Sequence, residues 1–191
     1  MLRSSGALSS VKVVVSGGFG VGKTTFINTI SEIDPLDTEA PISEVALRID
    51  DTSCLPDKMT TTVALDFGRI TLDPTLVLYL FGTPGQERFM SMWDDLSKGA
   101  IGAIVIADTR RIEDCFRTIE YFEQRYIPFL LAVNTFDGAA RFDLGQIRDA
   151  VGVTADVPVV ECDARERESV KDTLLALLTR VLSTHDALGR A

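Results

Sequence analysis

Gly17-Gly18-Phe19-Gly20-Val21-Gly22-Lys23-Thr24 reads G-x-x-x-x-G-K-T and directly follows the apolar run Val11–Val15. A stretch of this kind can turn several backbone N–H groups inward around one anion, because residues without a Cβ tolerate the turns required. Lys23 is placed to reach β- and γ-phosphate oxygens as a point charge, and Thr24 to offer a hydroxyl to Mg²⁺. Thr25 follows in the first turn of a helix whose N-terminus favours anions. The residues therefore predict a phosphate-binding loop between a strand and a helix, with the Lys23 ammonium exposed toward the ligand and not packed in the core. A glycine-rich turn carrying a chance G-K-T is the bland alternative, and it leaves the strand before and the helix after unexplained.

Three further motifs lie downstream, and with the loop they resemble the Ras-like small GTPases. Phe81-Gly82-Thr83-Pro84-Gly85-Gln86-Glu87 is similar to the second switch of that superfamily, usually D-x-x-G-Q-E. The resemblance implies that the Gly85 N–H meets the γ-phosphate and that Gln86 orients the attacking water. Thr62-Val63-Ala64-Leu65-Asp66-Phe67 resembles the first switch of Rab-type members, which gives Thr62 the role of reaching Mg²⁺ and the γ-phosphate. Asn134-Thr135-Phe136-Asp137 is similar to the guanine-reading N-K-x-D motif. A carboxylate at Asp137 can accept the N1–H and N2–H of guanine, whereas adenine presents an acceptor at N1. Asn134 is the expected donor to N7 and a brace to the phosphate loop. Glu161-Cys162-Asp163-Ala164-Arg165 aligns with the E-x-S-A-K element, which implies a bond from the Ala164 N–H to the base and adds Asp163 and Arg165 to the base site.

Two positions depart from the superfamily pattern. Gly82 stands where an acidic residue normally holds Mg²⁺ through water, and Thr135 stands where the base motif carries lysine. Both changes are expected to weaken nucleotide retention. Asp108, after the fourth apolar run, is one candidate for a replacement carboxylate; capping a turn is its other reading. Arg48 and Arg69 are candidates for a catalytic arginine supplied within the chain. The nonacidic second switch is shared with MglA, the bacterial polarity GTPase. Residues 60–70, 81–89 and 92–96 and Asp108-Thr109-Arg110-Arg111 resemble the CvnD-type GTPases of actinomycete conservons. That resemblance implies partners of the roadblock and sensor-kinase-like types and a regulatory switch that hydrolyses GTP slowly with Mg²⁺. A nonswitching guanine-nucleotide-binding scaffold is the first alternative. A P-loop kinase acting on a small molecule is the second, and it leaves Asn134 and Asp137 without a purpose.

The elements that must position these residues are strands near Val11–Val15, Val63–Leu72, Thr75–Phe81, Ala100–Ala107, Phe129–Val133 and Val157–Val160. Helical patterns fall near Lys23–Glu32, Glu87–Ser97, Ile112–Arg125, Asp143–Val151 and Ser169–Ser183. Their alternation predicts an α/β fold with a mostly parallel six-stranded sheet covered on both faces. The resemblance implies the Ras-like three-layer form of the P-loop NTPase fold. Asp73-Pro74 separates two strands closely enough for one antiparallel hairpin. Residues 33–61 form a long turn-rich stretch of the kind that is functional or disordered, with Val45–Ile49 as a candidate extra edge strand. Met90, Met92 and Trp93 read either as core or as an exposed apolar surface for a partner.

The chain has 191 residues, 46% hydrophobic and 25% charged, enough for one folded domain over residues 11–184, with flexible termini at 1–10 and 185–191. His185 falls in that tail and is not expected to act in catalysis. A net charge of −9 argues against nucleic acid or an anionic lipid surface as the main partner. Cys54, Cys115 and Cys162 are odd in number and lack C-x-x-C spacing, which predicts neither a disulfide framework nor a zinc site. Met1–Ser10 does not read as a signal peptide, no lipidation motif is visible, and no apolar run is long enough to span a bilayer. The expected location is cytoplasmic, with partners as the means of reaching the inner membrane face.

Overall fold

The computed structural model describes residues 9–34, 65–85 and 91–188, with side chains through residue 184. Thr62, Gln86, Met90, Arg48, Cys54 and the Val45–Ile49 segment lie outside the described residues. In chain order the elements are β1 (Ser9–Gly17), α1 (Lys23–Ile30), β2 (Phe67–Asp73), β3 (Leu76–Gly82), α2 (Ser91–Ser97) and β4 (Gly102–Ala107). A 3-10 segment (Thr109–Cys115) then leads into α3 (Phe116–Gln124), β5 (Phe129–Asn134), α4 (Leu144–Val151), β6 (Val159–Cys162) and α5 (Arg167–Leu188). The six strands lie in the order β2-β3-β1-β4-β5-β6. Only β2 is antiparallel to its neighbour, as the Asp73-Pro74 spacing predicts.

Strand alternation sorts the apolar residues into two cores. Val13, Val15, Ile104 and Ile106 face α1 and α5 with Phe26, Ile27 and Leu177. Val14, Val105 and Leu131 point the other way, onto Ile119 and Phe122 of α3. Every residue of β4 and β5 is buried, which is why both read as unbroken apolar runs. Trp93 belongs to the second core at 5% exposure, while Met92 is half-buried.

Several boundaries differ from the sequence expectation for local reasons. Helix α1 stops at Ile30 because Ser31 is extended at φ −60° and ψ 140°. The expected helix at Ile112–Arg125 is instead a 3-10 segment followed by α3, with Arg111 non-helical at φ −149° and ψ 59°. Asp108 starts that segment by accepting from the Arg110 N–H at 2.9 Å. Helix α5 continues to Leu188, so the stretch read as a tail after Thr184 begins in helix.

Because β1 is flanked by β3 and β4, the chain leaves its C-terminal end toward one edge of the sheet and later returns on the other side. A crevice opens at such a point. The carboxyl ends of β1, β3, β5 and β6 bring Gly17, Gly82, Asn134 and Cys162 to the same edge.

Candidate functional site

The loop between β1 and α1 is held from the base-motif side. Gly22 has φ +104°, and a Cβ there would lie 2.5 Å from Asn134 Nδ2, so a side chain at this position is excluded twice. Asn134 is 5% exposed. Its Nδ2 donates to the Val21 carbonyl at 2.9 Å, and its Oδ1 accepts from the Ala164 N–H at 3.0 Å. One amide thus ties the glycine-rich loop to the loops after β5 and β6. The Ala164 N–H, which the resemblance places on the base, donates here to the Asn134 amide oxygen.

Lys23 also differs from expectation. It is 8% exposed, and its ammonium turns back to donate to the carbonyls of Gly17 at 3.1 Å and Gly18 at 2.7 Å. Burial lowers its pKa to about 8, partly opposed by the negative charge of Asp66. Gly85 packs against the same ammonium, with its Cβ direction 2.8 Å from Lys23 Nζ and 3.0 Å from the Phe19 Cα. Gly85, which the resemblance places in the second switch, therefore sits beside the glycine-rich loop. A cavity of about 420 Å³ adjoins it, lined by Gly18, Phe19, Gly85, Trp93, Arg111 and Arg117.

The Thr24 hydroxyl donates to Asp66 Oδ2 at 2.8 Å. Asp66 precedes β2, and its carbonyl accepts from the Gly82 N–H at 2.8 Å. A Cβ on Gly82 would lie 2.8 Å from the Asp66 Cβ and 3.0 Å from Asp66 Oδ2. The aspartate fills the space that a side chain at 82 would take. Among the described residues there is no group of three His, Cys, Asp or Glu able to cage a metal. Mg²⁺ needs no such cage: it takes one or two protein oxygens and completes its octahedron with phosphates and water. The Thr24 hydroxyl oxygen fits that requirement, with the Asp66 carboxylate next to it.

Asp108 does not supply this carboxylate. It is 1% exposed and held by Arg110, whose Nε reaches both its oxygens at 3.0 and 3.1 Å and whose Nη2 reaches Oδ2 at 2.7 Å. Those bonds from Arg110 are the main reason its pKa is lowered. Arg69 is not brought to the loop either. Its carbonyl accepts from Glu32 N at 2.8 Å, past the C-terminal end of α1, and that helix starts at Lys23.

Around the expected base edge, Arg165 donates to Asp137 at 2.9 and 3.2 Å and to Asp163 at 2.9 and 2.8 Å. These bonds lower the Asp163 pKa to about 2 and also lower that of Asp137. Thr135 donates from its backbone N–H to the Cys162 carbonyl at 2.8 Å. A lysine in its place would reach across the phosphate loop. Instead Arg111, from the 3-10 segment, donates to the Phe19 carbonyl at 2.7 Å. Sequence reasoning missed Asp66 and Arg111. The signal for Asp66 is its register opposite Gly82; for Arg111 it is a basic pair directly after β4.

The model of a family described as "Conserved hypothetical ATP binding protein" matches residues 15–184. The chain belongs to that family. It is 30% identical over 130 residues to uncharacterized protein MJ1339 of Methanocaldococcus jannaschii, covering 66% of this chain and 71% of that one. ADP-ribosylation factor-like protein 3 of Saccharomyces cerevisiae is 25% identical over 182 residues, with 88% and 84% covered. Human Ras-related protein Rab-7b is 26% identical over 190 residues, with 93% and 85% covered. The chain spans 26% of the length of the Ras and EF-hand domain-containing protein homolog of Caenorhabditis elegans. In fold it is similar to the FeoB G-domain of Methanococcus jannaschii, at a TM-score of 0.61 and 15% identity over 91% of this chain and 99% of that one. The chain is a small-GTPase-like nucleotide-binding protein of the P-loop NTPase superfamily, homologous to Rab and Arf proteins. Among the described residues, no helix is long and apolar enough to cross a membrane.

Proposed function

We propose that the chain is a regulatory small GTPase of the conservon type, related to the MglA group, which binds GTP and GDP with Mg²⁺ and hydrolyses GTP slowly. The observation that carries this reading is Asn134, which joins the phosphate loop to the loops bearing Asp137 and Ala164, so that base and phosphate sites form one unit. The family description names ATP, but the Asp137 carboxylate supports guanine, whose N1–H and N2–H it can accept together.

Lys23 and the loop N–H groups neutralise and orient the triphosphate, and the Gly85 N–H adds a donor at the γ-phosphate. Gln86 aligns water for attack on the γ-phosphorus; the bond to the β-phosphate oxygen breaks, and GDP and phosphate leave. Mg²⁺, when bound, offsets charge on the β- and γ-oxygens. Sites of this type that lack an added arginine turn over at about 10⁻⁴–10⁻² s⁻¹, which suits a timer. The γ-phosphate would draw Thr62 and Gly85 toward it, and a partner of roadblock or sensor-kinase-like type would read the difference.

Calorimetric titration with GTP and ATP, followed by multiple-turnover phosphate release, tests the activity. Comparable affinity for the two nucleotides would overturn the base assignment; tight GTP binding without turnover would favour a nonswitching scaffold. Hydrogen exchange over residues 33–68 in GDP and GTP-analogue forms tests the switch, and identical protection would remove it.

A further inference from the structure

We infer that Asp66 is the outer-sphere carboxylate of the Mg²⁺ site, moved across the β2–β3 pair from the position that Gly82 has lost. The inference rests on the nucleotide-binding reading above and adds a residue that the motif pattern assigns no role. Three observations meet at this carboxylate. Asp66 Oδ2 accepts from the Thr24 hydroxyl, the protein oxygen assigned to the metal, at 2.8 Å. The Asp66 side chain occupies the volume a Cβ at Gly82 would enter, at 2.8 Å from its Cβ and 3.0 Å from Oδ2. Its negative charge is also felt at the buried Lys23 ammonium, the group assigned to the β- and γ-phosphates.

The geometry of an antiparallel pair explains how the exchange works. Phe67 pairs with Phe81, so Asp66 stands opposite Gly82, and the Gly82 N–H donates to the Asp66 carbonyl at 2.8 Å. Side chains directly opposite each other project from the same face, and here the two positions are closer than usual, a Cβ at Gly82 falling 2.8 Å from that of Asp66. A carboxylate on either strand can therefore lean over the same point. With glycine at 82, the one at 66 has the space to do so, and two carboxylates there would crowd and repel. Gly82 is then one half of an acid–glycine exchange between strands, and the metal site keeps its negative charge.

The test is the release rate of tritiated GDP as a function of free Mg²⁺, for the full chain and for Asp66→Asn, Asp66→Ala and Asp66→Ala/Gly82→Asp. Losing an outer-shell partner weakens metal affinity roughly 10–100-fold. Asp66→Asn should therefore need roughly 10–100-fold more Mg²⁺ to slow release, with release in EDTA unchanged. Returning the acid to position 82 in the double variant should recover most of the loss seen in Asp66→Ala. A wild-type Mg²⁺ midpoint in Asp66→Asn overturns the assignment, as does a wild-type protein whose nucleotide release ignores Mg²⁺. Failure of the double variant to restore the midpoint, with its fold confirmed by circular dichroism, also overturns it. If that variant does not fold, Asp66→Asn decides alone. Tritiated ADP run in parallel separates the two readings: equal retention of ADP and GDP removes the guanine assignment, while the Mg²⁺ midpoints still judge Asp66.

Discussion

Arg165 grips both carboxylate oxygens of Asp137 from Nη1 and Nη2, at 2.9 and 3.2 Å, while Nε and the same Nη2 hold Asp163. In the base site proposed above, guanine would need those same two oxygens. The Asp137 side chain is 88% exposed and that of Arg165 53%, and ion pairs so exposed are worth about 0–1 kcal/mol. The base therefore displaces the guanidinium at small cost. We predict that Arg165→Ala changes GDP affinity by less than about fivefold, the equivalent of about 1 kcal/mol. Asp137→Ala should cost about 100-fold or more, because the base loses both partners at once. Asp137→Asn should shift preference toward xanthine nucleotides. Titration calorimetry reads all three, and a loss in Arg165→Ala as large as in Asp137→Ala would mean that the arginine itself recognises the base.

Lys23 sets function against stability. Its pKa in the folded chain is about 8, against 10.5 without burial. Between those values the unfolded chain binds more protons, so this residue makes stability rise as pH climbs from about 8 to 10.5, and its charge is unfavourable below that window. Lys23→Met should stabilise the nucleotide-free protein at pH 7 by about 1–3 kcal/mol, with the advantage shrinking toward pH 10. The same variant should lose tight triphosphate binding. Paired denaturant melts at the two pH values check the sign.

Triphosphate binding by the wild type should take up protons at alkaline pH. The phosphate charge favours ammonium, so affinity should hold up to about pH 8 and decline above it. Calorimetry in buffers of different ionisation enthalpy measures the uptake directly. Affinity that rises through pH 8–9 would contradict it.

Asn134→Ala leaves the Val21 carbonyl and the Ala164 N–H without their partner. Each unsatisfied buried group costs about 1–3 kcal/mol, so a loss of about 2–6 kcal/mol in stability is expected for the two, together with faster nucleotide release. A chemical melt gives the first and a release assay the second. An unchanged melt would show that the three loops are not coupled through this amide.

Gln86→Leu should retain GTP while slowing turnover, since Gln86 is assigned to the attacking water and the loop to binding. Arg111→Ala should do the reverse and speed release by about fivefold. The Arg111 contact to Phe19 is charge-assisted, but its side chain is 49% exposed, which holds its value near 1 kcal/mol. Single-turnover hydrolysis and release assays on the two variants separate the roles.

The six mostly parallel strands with one hairpin, and the strand–loop–helix that carries the glycine run, were legible because glycine spacing and unbroken apolar runs are local signals. Asp66 was not, and the reason is one irregularity. Counting the hairpin from the Asp73–Leu76 pair in strict register would set Asp66 opposite Thr83. A bulge between Thr71 and Asp73 shifts the register by one, so that the aspartate meets Gly82. The two readings of Asp108 stayed open for a related reason. A carboxylate at a strand end suits a metal or a cap equally until its neighbour is seen, and Arg110 decides for the cap. Burial of Lys23 depends on its ammonium turning back onto the Gly17 and Gly18 carbonyls, which motif spacing does not encode.

Trp93 is the single tryptophan in the chain, and its indole N–H donates to the Pro84 carbonyl at 3.3 Å, one residue before Gly85. Its ring meets Tyr121 edge-on, with centroids 5.2 Å apart. The molecule thus carries its own optical probe at the second switch. A γ-phosphate that draws Gly85 inward must move the carbonyl to which the indole is bonded, so the emission of the unlabelled protein should report nucleotide state in real time, with the Tyr121 side held fixed in the core.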